Sequence, residues 1–273
     1  MITFRRLGRF GRFGNQLFQY AGTRLYAELN GLKHAFPAWI GNVIFEDVKE
    51  SNWIENLKIK LLPTVQLDDV QSYGKVDKIK YLLGLKKRLP ETKNIAGLHK
   101  EHKDNISLHG YLQDSFSLEL LKNKKELVRK WFTFKKNIND SYGQLSKEYS
   151  PFVGMHIRRG DLVKRSVTIP TQAYIEILNK VRSSRNLFIA TDDPGLLSEL
   201  QYLKPILIKN NRPDIPAYIF DFWMLKNAET IIGGGSTFSW WAAYLSNSND
   251  YYSPPLTHLW PRDKKVKITK HNV

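Results

Sequence analysis

The chain has 273 residues, 42% of them hydrophobic, which is enough to bury a substantial core in one large or two modest domains. It has no cysteine, no His-x-x-x-His spacing, no apolar run long enough to cross a membrane and no signal-peptide pattern at Met1–Arg6. We therefore expect a cytoplasmic protein without disulfides, a metal site, a signal peptide or a transmembrane segment. Its net charge of +16 favours polyanions, anionic lipid surfaces or phosphorylated ligands as partners.

The first predicted elements are a short strand over Ile2–Leu7, a glycine-containing loop over Gly8–Gly14 and a helix over Asn15–Asn30. A strand, a glycine loop and a helix N-terminus in this order present backbone N–H groups to a ligand. The glycine spacing is G-x-x-G-x-x-G, which departs from the dinucleotide fingerprint. A Rossmann cofactor site of the usual kind is therefore not predicted.

The segment Gly8–Gly14 also resembles a short RNA-binding Arg-Gly tract, and basic residues are dense in Lys75–Lys103 and Lys122–Lys136. The tract runs straight into an apolar helix pattern, so nucleic acid is the least favoured partner and none is predicted. Charge alone suggests the hypothesis that the basic N-terminal half makes peripheral contact with an anionic membrane.

The middle of the chain gives weaker patterns. Residues Phe36–Gln71 predict mixed loops and short helices, and His109–Asp114 predicts a strand end and a turn. A helix is predicted over Ser117–Trp131. The polar stretch Asn137–Ser150 favours a domain boundary, so we predict an N-terminal domain over 1–148 and a C-terminal domain over 149–273.

From Phe152 onward, apolar strands alternate with helices, which indicates a parallel sheet covered on both faces. We therefore predict a doubly wound C-terminal domain. The predicted strands are Phe152–Ile157, Asn186–Thr191, Pro205–Ile208 and Glu229–Ile232, and the predicted helices are Thr171–Ser183, Pro194–Leu203, Ala217–Asn227 and Thr237–Ser246.

Ligands of a parallel sheet bind outside the carboxyl ends of its strands, and three segments that carry functional groups follow strands here. They are His156–Asp161, Thr191–Asp193 and Gly233–Phe238. Their convergence at one edge predicts a site for an anionic ligand.

Two arginines follow the first of these strands. A guanidinium offers a planar fork of donors that matches phosphate oxygens two at a time. Successive residues of a strand point to opposite faces, so only one of the pair is expected to reach the ligand, and we favour Arg158. Arg159 then packs or pairs with Asp161. The alternative is a surface turn, Arg159–Asp161, in which both arginines are solvated.

The loop Gly233–Gly235 and the hydroxyls of Ser236 and Thr237 predict a phosphate-binding loop at a helix N-terminus. The alternative is a flexible loop with an N-cap hydroxyl, which accounts for the hydroxyls but not for three consecutive glycines.

Asp192 and Asp193 follow the second strand. Asp193 precedes a proline, and we interpret it as an N-cap. For Asp192 the alternative to an N-cap is to accept hydrogen bonds from a base or ribose. No Asp-x-Asp pair occurs in the sequence, so no metal is predicted. The negative charge of the leaving group would then be neutralised by Arg158 and helix N-termini.

Three ordered motifs resemble a known family. The segments Gly11–Ala21, His156–Asp161 and Ser236–Ala243 are similar to the motifs of the α-1,2-fucosyltransferases of glycosyltransferase family 11. The resemblance runs from about residue 8 to about residue 245 with order and spacing kept. Animal members carry an N-terminal membrane anchor, so we expect a bacterial-type or viral enzyme here.

This resemblance implies an α/β, GT-B-like fold of two Rossmann-like domains with a cleft between them. The implied enzyme is a galactoside 2-α-L-fucosyltransferase that inverts configuration and needs no cofactor or metal. Its donor, GDP-fucose, would be held by the C-terminal domain, and its acceptor, an oligosaccharide, glycolipid or other glycan, largely by the N-terminal one. The alternatives are a related transferase that modifies a protein hydroxyl or uses another nucleotide sugar.

Site residues are implied position by position. Arg158 would hold the diphosphate as it leaves, and Asn15 would face the cleft near the transferred sugar. The implied substrate-binding residues are Arg12, Phe13, His156, Arg159, Asp161, Asp192, Ser236, Thr237 and Phe238.

The general base is left open by the sequence. Asp161, Glu46, Asp47 and His34 are all eligible, and none is singled out by spacing. Departure of a diphosphate that takes the proton itself would need no protein base.

Overall fold

The computed structural model describes residues 1–67, 92–160, 168–248, 250–254 and 269–271. The chain forms two compact units, Met1–Thr133 and Phe134–Val273. Within the described ranges, no helix is long and apolar enough to cross a membrane. Most of the basic stretch Lys75–Lys103 lies outside the described residues, and so does Asp161.

The first unit is built on a parallel sheet whose strands run in the order β1-β4-β2-β3. Ile2 and Thr3 of β1 pair with Ile106 and Ser107 of β4. The strands are β1 (Ile2–Thr3), β2 (Thr64–Leu67), β3 (Thr92–Lys93) and β4 (Ile106–His109), and the helices are α1 (Phe13–Leu29), α2 (Ile40–Ile44), α3 (Trp53–Leu61), α4 (Ile95–Glu101), α5 (Ser115–Asn123) and α6 (Lys125–Trp131).

Helix α1 confirms the predicted helix near the N-terminus. It buries apolar residues such as Leu17 and Leu25, and the chain leaves it through Gly31 at φ +63°. The preceding strand is shorter than predicted, because the chain turns after Thr3. Turn hydrogen bonds replace the interstrand hydrogen bonds there: Leu7 N donates to Phe4 O at 2.9 Å, and Arg9 N donates to Arg6 O at 2.9 Å.

The single helix predicted over Ser117–Trp131 is two helices, α5 and α6. Asp114 caps the first by accepting a bond of 3.0 Å from the N–H of Ser117. The helices separate at Lys124, whose φ of −115° and ψ of 25° lie outside the helical region. Nothing in the apolar periodicity marks this break.

The second unit holds a five-stranded sheet of order β6-β5-β7-β8-β9, parallel except for β9. It begins at Phe134 and so includes a helix that precedes residue 149. The strands are β5 (Phe152–Ile157), β6 (Asn186–Thr191), β7 (Thr230–Gly233), β8 (Asp250–Ser253) and β9 (Thr269–His271), and the helices are α7 (Lys136–Ser146), α8 (Thr171–Val181), α9 (Pro194–Glu199), α10 (Ala217–Asn227) and α11 (Thr237–Leu245).

The prediction for this unit is confirmed at β5, β6 and α10, whose bounds match. The strand predicted over Pro205–Ile208 is wrong. The segment follows Lys204, a left-handed residue at φ 51°, and makes one sheet-like bond, from Ile206 N to Leu187 O at 2.7 Å. Leu207 is 71% exposed, so this apolar run does not lie in the core.

Strand β5 is buried along its whole length, and its alternation defines two faces. Val153, Met155 and Ile157 pack in a core with residues of α8. Gly154 faces the other way, where a Cβ would lie 2.9 Å from Ala228 and 3.1 Å from Leu225 of α10. His156 shares the face of Gly154, toward α10.

Candidate nucleotide site and the carboxyl edge of the first sheet

The topology of the second unit fixes where a ligand can bind. The chain leaves β5 for β6 on one side and leaves β7 for β8 on the other, so the connections diverge between β5 and β7. Such a switch point opens a crevice at the carboxyl ends of the strands. His156 and Gly233 are register partners at this point.

His156 is buried, with 7% of its surface exposed, and its ring lies 5.0 Å from the ring of Phe238. Phe238 in turn packs edge-on against Phe222 of α10 at 5.3 Å. Two sequence-predicted residues, His156 and Phe238, are therefore brought together at the end of β5, and a third, Ser236, caps the helix that carries Phe238.

Asp221 of α10 joins this group, although the sequence analysis did not find it. Helix α10 returns the chain to the start of β7, so it runs antiparallel to β5. Asp221 precedes Leu225 by one helical turn, a rise of about 5.4 Å. His156 follows Gly154 by two strand residues, a rise of about 6.6 Å in the same direction. Since Leu225 lies over Gly154, Asp221 lies at the level of His156 on the same face.

The carboxyl group of Asp221 has an unusual environment. Burial raises the pKa of Asp221 to about 6. Within the described part of the chain it forms neither an ion pair nor a hydrogen bond. A half-buried carboxylate without donors is costly, so its presence at a switch point is typical of a ligand-binding group. An acid inside the otherwise apolar run Ile219–Leu225 was the available signal.

Packing requires the first two of the three glycines after β7, and backbone conformation favours the third. A Cβ on Gly233 would lie 2.4 Å from Ser239 Oγ, and one on Gly234 would lie 1.7 Å from Tyr174 Oη. Gly235 has φ +62°, which disfavours a side chain. The loop therefore does not need a phosphate to explain its composition.

Ser236 is the N-cap of α11, and its Oγ accepts a bond of 3.3 Å from the N–H of Phe238. The helix it starts has nine residues and begins, with Thr237, at the carboxyl edge of the sheet. The helix N-terminus thus lies beside His156, where its dipole favours an anion.

Both arginines after β5 are half-buried, and Arg159 is held by two hydrogen bonds. The guanidinium of Arg159 donates to Thr171 Oγ1 at the start of α8. The backbone N–H of Arg159 donates to Asp192 Oδ1 at 2.7 Å. Arg159 is thus directed toward α8, and Arg158 beside it is half-buried.

The acidic pair after β6 has structural contacts on both members. Asp192 braces the turn after β5 through its bond to Arg159. Asp193 caps α9 by accepting a bond of 3.0 Å from the N–H of Gly195, which confirms the N-cap interpretation. In the described ranges no group of three His, Cys, Asp or Glu side chains is placed to hold a metal ion.

In the first unit, the glycine loop before α1 is held by side-chain amides of that helix. Gln16 Nε2 donates to Gly11 O at 3.0 Å, and Gln19 Nε2 donates to Phe10 O at 3.1 Å. Asn15 Oδ1 accepts a bond of 3.0 Å from Gln113 Nε2. Asn15 is therefore oriented at the carboxyl edge of this sheet, where the loops after β1 and β4 meet.

Two predicted substrate-binding residues near this loop have contrasting positions. Arg12 is exposed at the N-terminus of α1. Phe13 is 5% exposed and packs against Trp39 and Phe45, with ring centroids 6.4 and 6.5 Å away. The ring of Phe13 thus supports the fold around the loop.

His109, the last residue of β4, was also missed by the sequence analysis. Its ring lies 4.6 Å from that of Phe10, which stacks on Tyr111 at 4.9 Å. Burial, and then the charge of Arg6, lowers the pKa of His109, so its imidazole is neutral near pH 7. Together the rings form an aromatic surface beside Asn15 and Gln113 at this edge.

Two of the general-base alternatives occupy other places. Asp47 pairs with Arg24 at 3.3 Å. His34 lines a groove of about 1000 Å³ with Met1 and Asn105, which precede β1 and β4. This groove therefore lies at the amino edge of the parallel sheet, away from the edge that ordinarily binds ligands. Glu46 is exposed.

Each unit has a parallel sheet with polar side chains at the carboxyl ends of its strands. Two such units define an α/β protein of the nucleotide-binding type. The chain belongs to glycosyl transferase family 11, whose model matches residues 6–267. It is therefore a glycosyltransferase.

A curated relative is the O-antigen biosynthesis glycosyltransferase WbnK of Escherichia coli, 23% identical over 95% of this chain and 96% of that protein. The fold is similar to that of the fucosyltransferase NodZ from Bradyrhizobium, with a TM-score of 0.58 and 14% identity over 98% of both chains. It is also similar to POFUT1 in complex with GDP-fucose, with a TM-score of 0.57 and 15% identity over 92% of this chain and 97% of that one. These matches confirm the α/β, GT-B-like fold class.

Proposed function

We propose that this glycosyltransferase moves L-fucose from GDP-fucose to the 2-hydroxyl of a galactose-type glycan acceptor, with inversion and without a metal. The observation that carries the donor assignment is the position of Asp221, one helical turn from the Leu225 that lies over Gly154 and so at the level of His156, with no hydrogen-bond donor among the described residues. Two fold neighbours, a NodZ α-1,6-fucosyltransferase soaked with GDP-fucose and POFUT1 with GDP-fucose, support the same donor.

Asp221 selects guanine by its chemistry. A carboxylate accepts two parallel N–H donors, and guanine offers its ring N1–H and its exocyclic amine side by side. Adenine and uracil present no such pair of adjacent donors on one edge. His156 supplies a ring beside the carboxylate against which the base is fixed.

The diphosphate lies between Arg158 and the start of α11. The Arg158 fork matches two phosphate oxygens, and the N-terminal N–H groups of the helix favour the same charge. Both groups gain strength as the bond to fucose breaks and negative charge collects on the diphosphate. Arg159 and Asp192 act by holding the turn that presents Arg158.

The acceptor binds at the carboxyl edge of the first unit. Tyr111, whose ring stacks on Phe10, offers a ring surface for a sugar face, and Asn15 and Gln113 offer amides for its hydroxyls. The acceptor oxygen attacks the anomeric carbon on the side opposite the diphosphate, and its proton passes to a base or to the departing diphosphate. His109, neutral at pH 7, is the base that this edge provides.

Protein O-fucosylation is the competing acceptor class, and the likeness to POFUT1 favours it to that extent. The two acceptor classes are distinguished by measuring fucose transfer to lactose-type sugars and to a folded protein domain. Product analysis by NMR then gives the linkage, and transfer to any hydroxyl other than the galactose 2-hydroxyl would refute the α-1,2 assignment.

The donor is tested by thermal melting with GDP, ADP and UDP, each with and without EDTA. We expect GDP alone to raise Tm, in proportion to its excess over Kd, and EDTA to leave the shift unchanged. Asp214→Asn, which alters a surface carboxylate paired with Arg212 at 2.7 Å, is the matched control for Asp221→Asn. Equal shifts with all three nucleotides would refute the guanine assignment, and loss with EDTA would refute the metal-free mechanism.

A further inference from the structure

Helix α3 is a well-anchored helix on the surface of the first unit. Asn52 and Glu55 form a reciprocal cap, with bonds of 2.9 and 3.0 Å between each side chain and the other residue's N–H. Ile59, 2% exposed, fixes its inner face in the core. The orientation of the helix is therefore defined, and so is the face that it turns to solvent.

That outer face is apolar. Four of its large side chains are exposed: Trp53 by 73%, Ile54 by 47%, Leu57 by 52% and Leu61 by 84%. Trp53, Leu57 and Leu61 follow one another at intervals of four residues, so they form one stripe along the helix. A contiguous exposed stripe of this kind marks an interaction surface, unlike single exposed leucines.

Two lysines flank the stripe. With about 100° between successive residues, Lys60 lies roughly 60° to one side of Leu57 and Lys58 roughly 100° to the other. Both are exposed. Lysine stems lie along apolar surface while their ammonium groups reach the phosphate level of a bilayer.

We propose that the outer face of α3 docks on an anionic lipid surface. The apolar stripe enters the headgroup boundary, Trp53 lies at that boundary, and Lys58 and Lys60 contact lipid phosphates. The net charge of +16 supplies long-range attraction to the same surface. This proposal does not depend on which sugar donor the enzyme uses. Docking would bring the enzyme to glycan acceptors anchored in a membrane.

The test is co-sedimentation with phosphatidylcholine vesicles, with and without phosphatidylglycerol, at low and high salt. We expect binding only to the anionic vesicles, weakened by salt, with a blue shift of Trp53 emission that Trp53→Phe removes. Leu57→Gln/Leu61→Gln should lower the partition coefficient about tenfold or more. Lys58→Gln/Lys60→Gln should lower it several-fold at low salt.

Leu207→Gln, at a leucine 71% exposed in the second unit, is the matched control and should bind as wild type does. Retention of the GDP melting shift in every variant shows that the fold is intact. Wild-type failure to bind anionic vesicles would overturn the proposal, as would undiminished binding by the double leucine variant. A wild-type dimer that the leucine variant converts to a monomer, without vesicle binding, would assign the stripe to contact between copies.

Discussion

The ring of Phe238 lies 5.0 Å from the imidazole of His156, with 39° between the planes. Because Phe238 also packs edge-on against Phe222 at 5.3 Å, the three rings join the end of β5 to α10 and α11. The proposed base-binding and phosphate-binding groups are thus held together by two aromatic contacts that share Phe238.

Asp221→Asn should make the unliganded protein more stable and abolish its response to GDP. Burial raises the pKa of Asp221 to about 6, so at pH 7.5 the fold carries the cost of a desolvated charge, on the order of 3 kcal/mol. An amide removes that cost but presents only one acceptor to guanine. Melting at pH 7.5 with and without GDP checks both effects, and a variant that melts lower than wild type without GDP would contradict this account.

The same carboxyl group predicts a pH dependence. A folded pKa of about 6, above the ordinary 3.8, means that Asp221 favours folding at low pH and that this contribution is lost as pH rises through about 6. Donor binding needs the carboxylate, so affinity for GDP-fucose should rise over that interval. GDP-fucose is the proper probe because its diphosphate has no ionisation there. Titration calorimetry from pH 5 to 8 should show the rise in wild type and a flat profile in Asp221→Asn.

Arg158 and Arg159 should separate into binding and structural roles. Arg158→Ala should weaken GDP binding about tenfold to a hundredfold, the value of a charged hydrogen bond, with little change in Tm. Arg159→Ala should lower Tm, because it removes the contact with Thr171 Oγ1. A double-mutant cycle with Thr171→Val measures that coupling. An unchanged GDP shift in Arg158→Ala would refute its role with the diphosphate.

Gly234→Ala should destabilise the second unit by about 1–3 kcal/mol, since its Cβ would lie 1.7 Å from Tyr174 Oη. Removing that hydroxyl in Gly234→Ala/Tyr174→Phe should restore part of the loss. Denaturant unfolding of both variants, with Tyr174→Phe alone as control, measures this. Absence of any rescue would locate the conflict in the rest of the Tyr174 ring, whose Cζ would lie 2.7 Å away, rather than in its hydroxyl.

Asn15→Ala should impair use of the acceptor and leave GDP binding intact. It removes an amide that Gln113 orients through a bond of 3.0 Å. We expect acceptor KM to rise about tenfold, the value of roughly one hydrogen bond, and Gln113→Ala to give a smaller rise because it acts through Asn15. A lost GDP shift in Asn15→Ala would place Asn15 with the donor instead.

The elements that could be predicted are those whose burial is encoded locally. Strand β5 and helix α10 are continuous apolar runs with clear ends, so their bounds follow from pattern alone. The helix break at Lys124 and the exposed position of Pro205–Ile208 could not be predicted in this way. Each depends on packing against distant residues, which the local spacing of apolar residues does not reveal.

The candidate site follows the same rule. Motif residues such as His156 and Ser236 could be placed at a strand end and a helix start from sequence. Asp221 could not, because an acid in a helix is ordinarily solvated, and only its position one turn from Leu225 over Gly154 brings it to the ligand edge. Its role depends on a register between two elements that are distant in sequence.

The amides of Gln16 and Gln19 bond the loop before α1 to the helix that follows it. The arginine- and glycine-rich composition of this loop suggests a flexible segment, but the loop opens only when the first turns of α1 open with it. In hydrogen exchange, the bonded backbone amides of Arg9 in the loop and of Gln16 in the helix should lose protection together, because the glutamine side chains tie the loop carbonyls to the helix. Arginine and glycine content alone is thus a poor guide to chain flexibility, because two glutamines a few residues downstream decide it.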